Sequence, residues 1–261
     1  MKIGIIGYGY VGSAIGWAHK HDQVLIHDPK FPDSVNKSEF LTCDAVYVCV
    51  PSPSTEDGHC DTSVLESTLK DLLLINLKSN IPIICKTTAP PGVYQRLQKQ
   101  YPNIVHCPEF LTARNHITDY YTTENFILGG DIEFCELARH VIESSNIMHK
   151  RFITTDIKSA SLFKYMMNSY LATKVTFMND YKNLADAVGV NWMNIKEMSG
   201  QDNRIGNTHM DVPGPDGERG WGGACFPKDI AAIQMEALDS GIELELLGRV
   251  EDINKKHRKL S

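Results

Sequence analysis

Lys2-Ile3-Gly4-Ile5-Ile6-Gly7-Tyr8-Gly9-Tyr10-Val11-Gly12 is the stretch that decides the fold. A short apolar run of strand length enters a turn with the spacing G-x-G-x-x-G, and a helix-like segment follows at once. Each glycine in that spacing has its own duty. The first permits the tight turn, the second lets a pyrophosphate approach the backbone, and the third lets helix and strand pack closely. Gly7, Gly9 and Gly12 stand in those places, with Tyr10 and Val11 between the last two. The helix start then offers free N–H groups and positive potential to phosphate. Asp28 ends the next apolar run, 21 residues after Gly7, where an acid meets the adenosine ribose hydroxyls. A carboxylate there repels a 2′-phosphate, so the expected cofactor is NAD rather than NADP. FAD shares the fingerprint and is the minor alternative. A bare structural turn is the bland reading, and the strand, helix and spaced acid together weigh against it.

Outward from this turn, apolar runs alternate with helix-like stretches over roughly the first 150 residues, the pattern of a parallel α/β sheet. Strands are predicted at Lys2–Gly7, Val24–Asp28, Ala45–Val50, Ile83–Lys86, Ile104–Cys107 and Phe126–Gly129. Helices are predicted at Asp61–Leu77 and Ile132–Ser145. From Asp156 to Val188 there is neither Gly nor Pro, and Gly189 supplies a favoured helix end. That predicts one helix about 50 Å long at 1.5 Å per residue, too long for a single small domain to cover. A shorter helix near Trp192–Met198, a Gly/Pro-rich loop Gly200–Gly223, and helices near Pro227–Ser240 and Glu243–Lys259 complete the pattern. The expected architecture is a Rossmann-type, doubly wound parallel sheet over residues 1–155, followed by an all-helical domain over 156–261 built on the long helix.

Bulk properties exclude several classes. The chain has 261 residues and a formal net charge of −6, the wrong sign for a nucleic-acid binder. Its basic cluster, Lys255-Lys256-His257-Arg258-Lys259, reads as a solvated helix end. No apolar run approaches the length of a membrane span. The first strand begins at the N-terminus and leaves no room for a signal peptide, so a cytoplasmic protein is expected. Seven cysteines without a C-x-x-C pair, several inside apolar runs, read as small packing residues in six cases. No histidine stands at zinc-ligand spacing with cysteine or acid, and no metal is expected.

The seventh cysteine is different. Gly220-Trp221-Gly222-Gly223-Ala224-Cys225-Phe226-Pro227-Lys228-Asp229 places a thiol where a glycine loop meets a helix start. Helix N-termini favour the thiolate, the nucleophilic form, and Asp229 follows one turn later. Lys164 and Asn168 share a face of the long helix and suit stabilisation of an oxyanion. A packing cysteine and a solvated helix face are the ordinary readings of each feature alone.

Together these pieces resemble the UDP-glucose/GDP-mannose dehydrogenase family. The matching stretches are Gly7–Gly12, Val50-Pro51-Ser52-Pro53-Ser54, Lys86-Thr87-Thr88-Ala89-Pro90-Pro91-Gly92 and Pro108-Glu109-Phe110-Leu111. Lys164–Asn168, Asp202–Asn207 and Gly220–Asp229 follow in the family's order. The resemblance implies a four-electron oxidation of a sugar-nucleotide primary alcohol to a carboxylate, with two NAD⁺ consumed and a thioester on Cys225. It implies that Val50, Pro51, Pro53 and Thr88 meet the cofactor, Thr88 also positioning a water. Lys164 and Asn168 would stabilise oxyanions, Asp229 would carry a proton through water, and Glu109 would assist thioester hydrolysis. Glu109, Phe110, Leu111, Gly220, Trp221 and Gly222 would line the substrate pocket. Arg204 would reach the diphosphate of substrate on a neighbouring subunit, within a homodimer packed through the long helix. Phe226-Pro227-Lys228-Asp229 and the Asp202–Asn207 segment look more like enzymes of UDP-glucose than of N-acetylated sugars. Two departures stand out. The family's second acid, four residues after Glu109, is replaced by Ala113, and the sequence stops at Ser261, where the family continues into a third α/β domain. The alternatives are a two-electron β-hydroxyacid dehydrogenase, which needs no nucleophilic thiol, and a non-catalytic NAD-binding scaffold.

Overall fold

The computed structural model describes residues 1–75, 80–112, 114–148 and 150–259. Ala113 and Leu77, which figure in the sequence reading, lie outside the described residues. The chain forms two compact units, residues 1–55 with 60–164, and residues 56–59 with 165–261.

In the first unit, β1 (Lys2–Ile6), α1 (Tyr10–Ala18) and β2 (Gln23–His27) lead through a 3-10 helix at Lys37–Thr42 to β3 (Ala45–Val48). Then come α2 (Ser63–Leu74), β4 (Ile83–Cys85), α3 (Pro91–Gln100), β5 (Ile104–His106), α4 (His116–Tyr121), β6 (Asn125–Gly129), α5 (Ile132–Ser144) and β7 (Arg151–Thr155). The sheet order is β2-β1-β3-β4-β5-β6-β7. Strands β2 to β5 are parallel, as is the β6–β7 pair, but β6 runs antiparallel to β5 through the single pairing His106–Gly129. The wholly parallel sheet of the sequence reading is corrected at that one junction, because an apolar run carries no information about its direction. Strand β7 is new as well. Its sequence, Arg-Phe-Ile-Thr-Thr, is β-branched but lies at the sheet edge and is mostly exposed, so it lacks the apolar run that marks its neighbours.

Side chains along a strand point alternately to the two faces, and helices cover both here. Ile3, Ile5, Ala45 and Tyr47 join Ile15, Val105 and Leu128 in one buried cluster. Ile6, Val46 and Val48 join Phe40, Leu65, Leu69, Tyr94 and Leu97 in the other. Each fully buried Val, Leu or Ile contributes about 1.5–3 kcal/mol. This layered core holds the strand ends rigid, and the loops that follow β1, β3 and β4 leave from their carboxyl ends.

Helix α6 (Ile157–Ala187) is continuous over 31 residues, one residue shorter at each end than predicted. Its first turns are seated on the sheet unit, where Ser161 Oγ donates to Ala89 O at 2.6 Å. The rest belongs to the second unit with α7 (Trp192–Gln201), α8 (Phe226–Asp239) and α9 (Glu245–Arg258). Met178, Ala185, Trp192 and Met210 form a buried cluster there. Among the described residues no helix is long and apolar enough to cross a membrane, and no group of three or more His, Cys, Asp or Glu is placed to hold a metal.

Candidate active site

The strand order reverses direction around β1, which lies between β2 and β3, and crevices at such reversals are where open α/β sheets bind ligands. Gly7 leaves β1 with φ +86°, and its N–H donates to His27 O at 3.0 Å. A Cβ at Gly7 would lie 2.6 Å from Cys49 O, so the turns after β1 and β3 meet backbone to backbone. A Cβ at Gly12 would lie 2.0 Å from Gly7 O, which is the close helix–strand packing expected. Gly9 behaves differently, because no protein atom lies within 4 Å of its Cβ position. The space over Gly9 is open at the start of α1, as a pyrophosphate would need. Asp28 Oδ2 accepts from Tyr8 N–H and Oδ1 from Lys30 N–H, both at 2.7 Å. Those amides hold its carboxyl below the usual carboxylate range, ionised beside the glycine turn. Tyr10 is largely exposed and Val11 half-buried.

The β3 and β4 loops are tied together. Thr87 Oγ1 donates to Val50 O at 2.8 Å and Ser52 Oγ to Thr88 O at 2.6 Å. Val50 is buried, Pro51 and Pro53 are exposed, and Thr88 is half-buried among them. These residues fit an NAD molecule in the cradle: glycines where backbone must be bare, an ionised acid at the ribose position, and a fixed loop opposite.

Glu109 follows β5 and is 8% exposed. Its Oε1 accepts from Phe110 N–H at 2.9 Å, and Lys86 Nζ stands 2.9 Å from its Oε2. Lys164 Nζ, on α6, donates to Glu109 O at 2.5 Å and lies 4.8 Å from the centre of the Phe110 ring. Glu109, Phe110 and Lys164 thus stand in one neighbourhood, and Leu111 follows Phe110 in sequence, half-buried.

In the second unit, Cys225 occupies the N-cap position of α8 and is the exposed one of the seven cysteines. Asp229, 3% exposed, accepts from Asn168 Nδ2 through Oδ2 and from Lys228 Nζ through Oδ1, each at 2.5 Å. Asn168 and Asp229 thus share a direct hydrogen bond that their sequence separation of 61 could not reveal. Gly220 has φ +70°, and its N–H donates to Asn179 Oδ1 at 3.1 Å. Trp221 is held at three points. Its N–H donates to Asn254 Oδ1 at 2.7 Å, its carbonyl accepts from Asn254 Nδ2 at 2.9 Å, and its indole N–H donates to Thr176 Oγ1 at 3.0 Å. Positions 220 and 222 face α9: a Cβ would lie 2.3 Å from Asn254 Oδ1 at Gly220 and 1.9 Å from an Arg258 nitrogen at Gly222. Packing against α9 therefore gives both glycines a reason independent of any ligand. Arg204 is on the surface, its guanidinium folded onto Asp202 at 2.6 Å and 2.9 Å. Buried Lys174 anchors that loop, donating to Ile205 O at 2.9 Å.

Sequence reasoning missed Lys86, Asn179 and Asn254. Lys86 left one signal, a lysine closing the fully apolar run Ile83–Cys85. The two asparagines left none, because each acts on a loop more than thirty residues away.

Comparison with known proteins identifies the family. Residues 29–152 match the NAD binding domain of the UDP-glucose/GDP-mannose dehydrogenase family, and residues 158–256 match its central domain. A UDP-glucose 6-dehydrogenase of Rickettsia bellii (strain RML369-C) is 29% identical over 245 residues, covering 91% of this chain and 55% of the relative. The chain therefore spans little more than half the length of that protein. A UDP-glucose dehydrogenase from Pyrobaculum islandicum superposes with a TM-score of 0.80 at 22% identity, over 98% of this chain and 68% of that one. The 3-hydroxyisobutyrate dehydrogenase of Mycobacterium tuberculosis gives 0.77 at 17% identity, over 98% and 94%. These two structures share the fold. The chain belongs to the UDP-glucose/GDP-mannose dehydrogenase family.

Proposed function

We propose that this chain oxidises the primary alcohol of a sugar nucleotide, UDP-glucose before others, to the uronic acid through a thioester on Cys225. The observation that carries the reading is the exposed Cys225 thiol at the head of α8, with Asp229 one turn further along that helix, buried and hydrogen-bonded to Asn168 of α6. NAD⁺ bound at Gly7, Gly9, Gly12 and Asp28 supplies the hydride acceptor for both oxidations.

The residues divide the remaining work. Loss of hydride from the alcohol carbon leaves an aldehyde, and the alcohol proton passes to water, with Asp229 as its carrier. The Cys225 sulfur adds to the aldehyde carbon, and its proton balances the new hydroxyl of a thiohemiacetal. Lys164 and Asn168 donate to the oxygen as it gains negative charge, which is the largest service a site of this kind offers. Removal of the second hydride, with the hydroxyl proton passing to water, turns the adduct into a thioester, and a second NAD⁺ would be the acceptor. Water then attacks its carbonyl, Glu109 takes a proton from that water, and the C–S bond breaks to release carboxylate and thiol. The covalent tether keeps the aldehyde in place between oxidations.

A homodimer is part of the proposal. Met166, Tyr170, Phe177, Tyr181 and Leu184 are all more than half exposed and recur at helical spacing on α6, and Val188 just past its end continues the stripe. An isologous contact along this stripe would remove it from water. Arg204, exposed and held by a neighbouring acid alone, is then the cation available to a partner's substrate diphosphate.

The test is a panel of sugar nucleotides with NAD⁺, followed by NADH absorbance and product mass. Two NADH per uronic acid is the expected result. One NADH per product would favour the two-electron hydroxyacid-type reaction, and NAD⁺ binding without turnover on any sugar nucleotide would favour the scaffold.

A further inference from the structure

The proposed cycle uses Glu109 but assigns nothing to Lys86, the most deeply buried cation near it. The Lys86 side chain is 1% exposed at the end of β4, and Nζ lies 2.9 Å from Glu109 Oε2. The same nitrogen lies 3.3 Å from Cys107 Sγ, and 5.5 Å and 5.8 Å from the centres of the Tyr120 and Phe126 rings. A lysine so enclosed is almost wholly withdrawn from solvent, and the anionic group in contact with it is Glu109.

We propose that Lys86 is a positioning residue for Glu109, whose buried ammonium supplies the countercharge and the second fixed point that keep the Glu109 carboxylate ionised and aimed. The inference rests on the reading of Glu109 as the group that takes a proton from the attacking water. Its geometry is that of a carboxylate whose Oε1 accepts from the Phe110 amide and whose Oε2 lies in close charge contact with the Lys86 ammonium. Rotation of the carboxylate would sacrifice the amide bond or lengthen the ion pair.

The other titratable groups around the pair are Cys49, Cys107, Tyr47, Tyr120, His106 and Lys164. Burial pushes the two thiols and the two phenols upward and His106 down to about 3, so all five are neutral near pH 7. For Lys86 itself burial works against the charge, and the Glu109 carboxylate 2.9 Å away sustains it. Lys164 Nζ donates to the backbone carbonyl of Glu109. Lys86 is the cation in direct charge contact with the carboxylate, at 2.9 Å from Oε2. Without it a buried carboxylate takes up its proton at higher pH, because desolvation penalises the charged form. The Ala113 position, where the family carries another acid, leaves Glu109 as the carboxylate on which the water-consuming step depends.

Infrared difference spectra of ¹³C-glutamate-labelled protein, parent minus Glu109→Gln, isolate the Glu109 band without any need for turnover. In Lys86→Met the band is expected to convert from carboxylate to acid at a pH at least about one unit higher than in the parent. An unchanged conversion would overturn the proposal. Should Lys86→Met fail to fold, the double variant Lys86→Met/Glu109→Gln decides. Its folding would show that the unpaired charge was at fault, and its failure would make Lys86 a packing residue and overturn the proposal. The acid limb of NADH formation is read in parallel. A limb that moves up with the band supports both readings, whereas a moved band with an unmoved limb keeps Lys86 and removes Glu109 from the water-consuming step.

Discussion

Two glycine-rich segments serve this chain, and they earn their glycines in opposite ways. In the Gly7–Gly12 turn the outer glycines are demanded by the protein's own backbone, and the middle one is left open to whatever binds. In the Gly220–Gly223 loop, Gly220 and Gly222 face α9 side chains, and it is Gly223, with φ +75°, whose Cβ position is open. The first segment is shaped from within a strand–turn–helix unit and is complete once those few residues fold. The second depends on Asn179 and Asn254, which arrive from α6 and α9. One is a local motif and the other a tertiary construction.

Substitutions to alanine test that contrast, with effects that fall from Gly12 to Gly9. Gly12→Ala should be the most damaging. Its Cβ would meet the Gly7 carbonyl oxygen at 2.0 Å, backbone that has no freedom to yield. Overpacking of this kind costs about 1–3 kcal/mol or more, and the shift of α1 should abolish NAD⁺ binding. Urea unfolding and NAD⁺ titration read both effects, and a normal midpoint with normal binding would refute the packing argument.

Gly220→Ala comes next. It forces a side chain into φ +70° and against Asn254 Oδ1, and a left-handed backbone alone costs about 1–2 kcal/mol. The expected result is lost sugar-nucleotide turnover with NAD⁺ affinity retained, since the damage lies in the other unit. Equal loss of NAD⁺ binding would show that the two segments are not independent.

The smallest changes in stability should come from Gly222→Ala and Gly9→Ala. At Gly222 the clash is with the end of Arg258, a flexible side chain that can swing away from Asp216. Partly exposed ion pairs of that kind are worth about 0–1 kcal/mol. At Gly9 nothing in the protein is touched, so the midpoint should stay within about 0.5 kcal/mol of the parent. Gly9→Ala should nonetheless weaken NAD⁺ binding severalfold or more, because the methyl group would fill the space a pyrophosphate needs. A Gly9 variant that binds NAD⁺ normally would remove the ligand from the explanation of that glycine.

The same contrast accounts for what could be read in advance. Gly7, Gly9, Gly12 and Asp28 were legible because a strand, a turn, a helix start and the next strand end are close in sequence as well as in space. The long helix was legible from an absence of breakers. Strand β7 and the antiparallel entry of β6 were not, since an exposed edge run is weakly apolar and an apolar run has no sense of direction. Among the candidate residues, Glu109 and Cys225 stood out by motif, but the partners that hold Glu109 and the loop before Cys225 did not. Lys86 sits on a different strand from Glu109, and Asn254 lies 33 residues from the tryptophan it clamps. Partners of that kind are chosen by the fold, and single residues of ordinary type leave no pattern behind.

The central claim is that carbon is oxidised while bonded to Cys225. Rapid quenching of the protein with NAD⁺ and UDP-glucose in acid, followed by peptide mass spectrometry, tests it directly. The account predicts a transient sugar-nucleotide adduct confined to the Cys225 peptide, no adduct in Cys225→Ser, and no uronic acid from that variant. Uronic acid formed by the serine variant at the parental rate, or formed by the parent with Cys225 unmodified throughout, would contradict it.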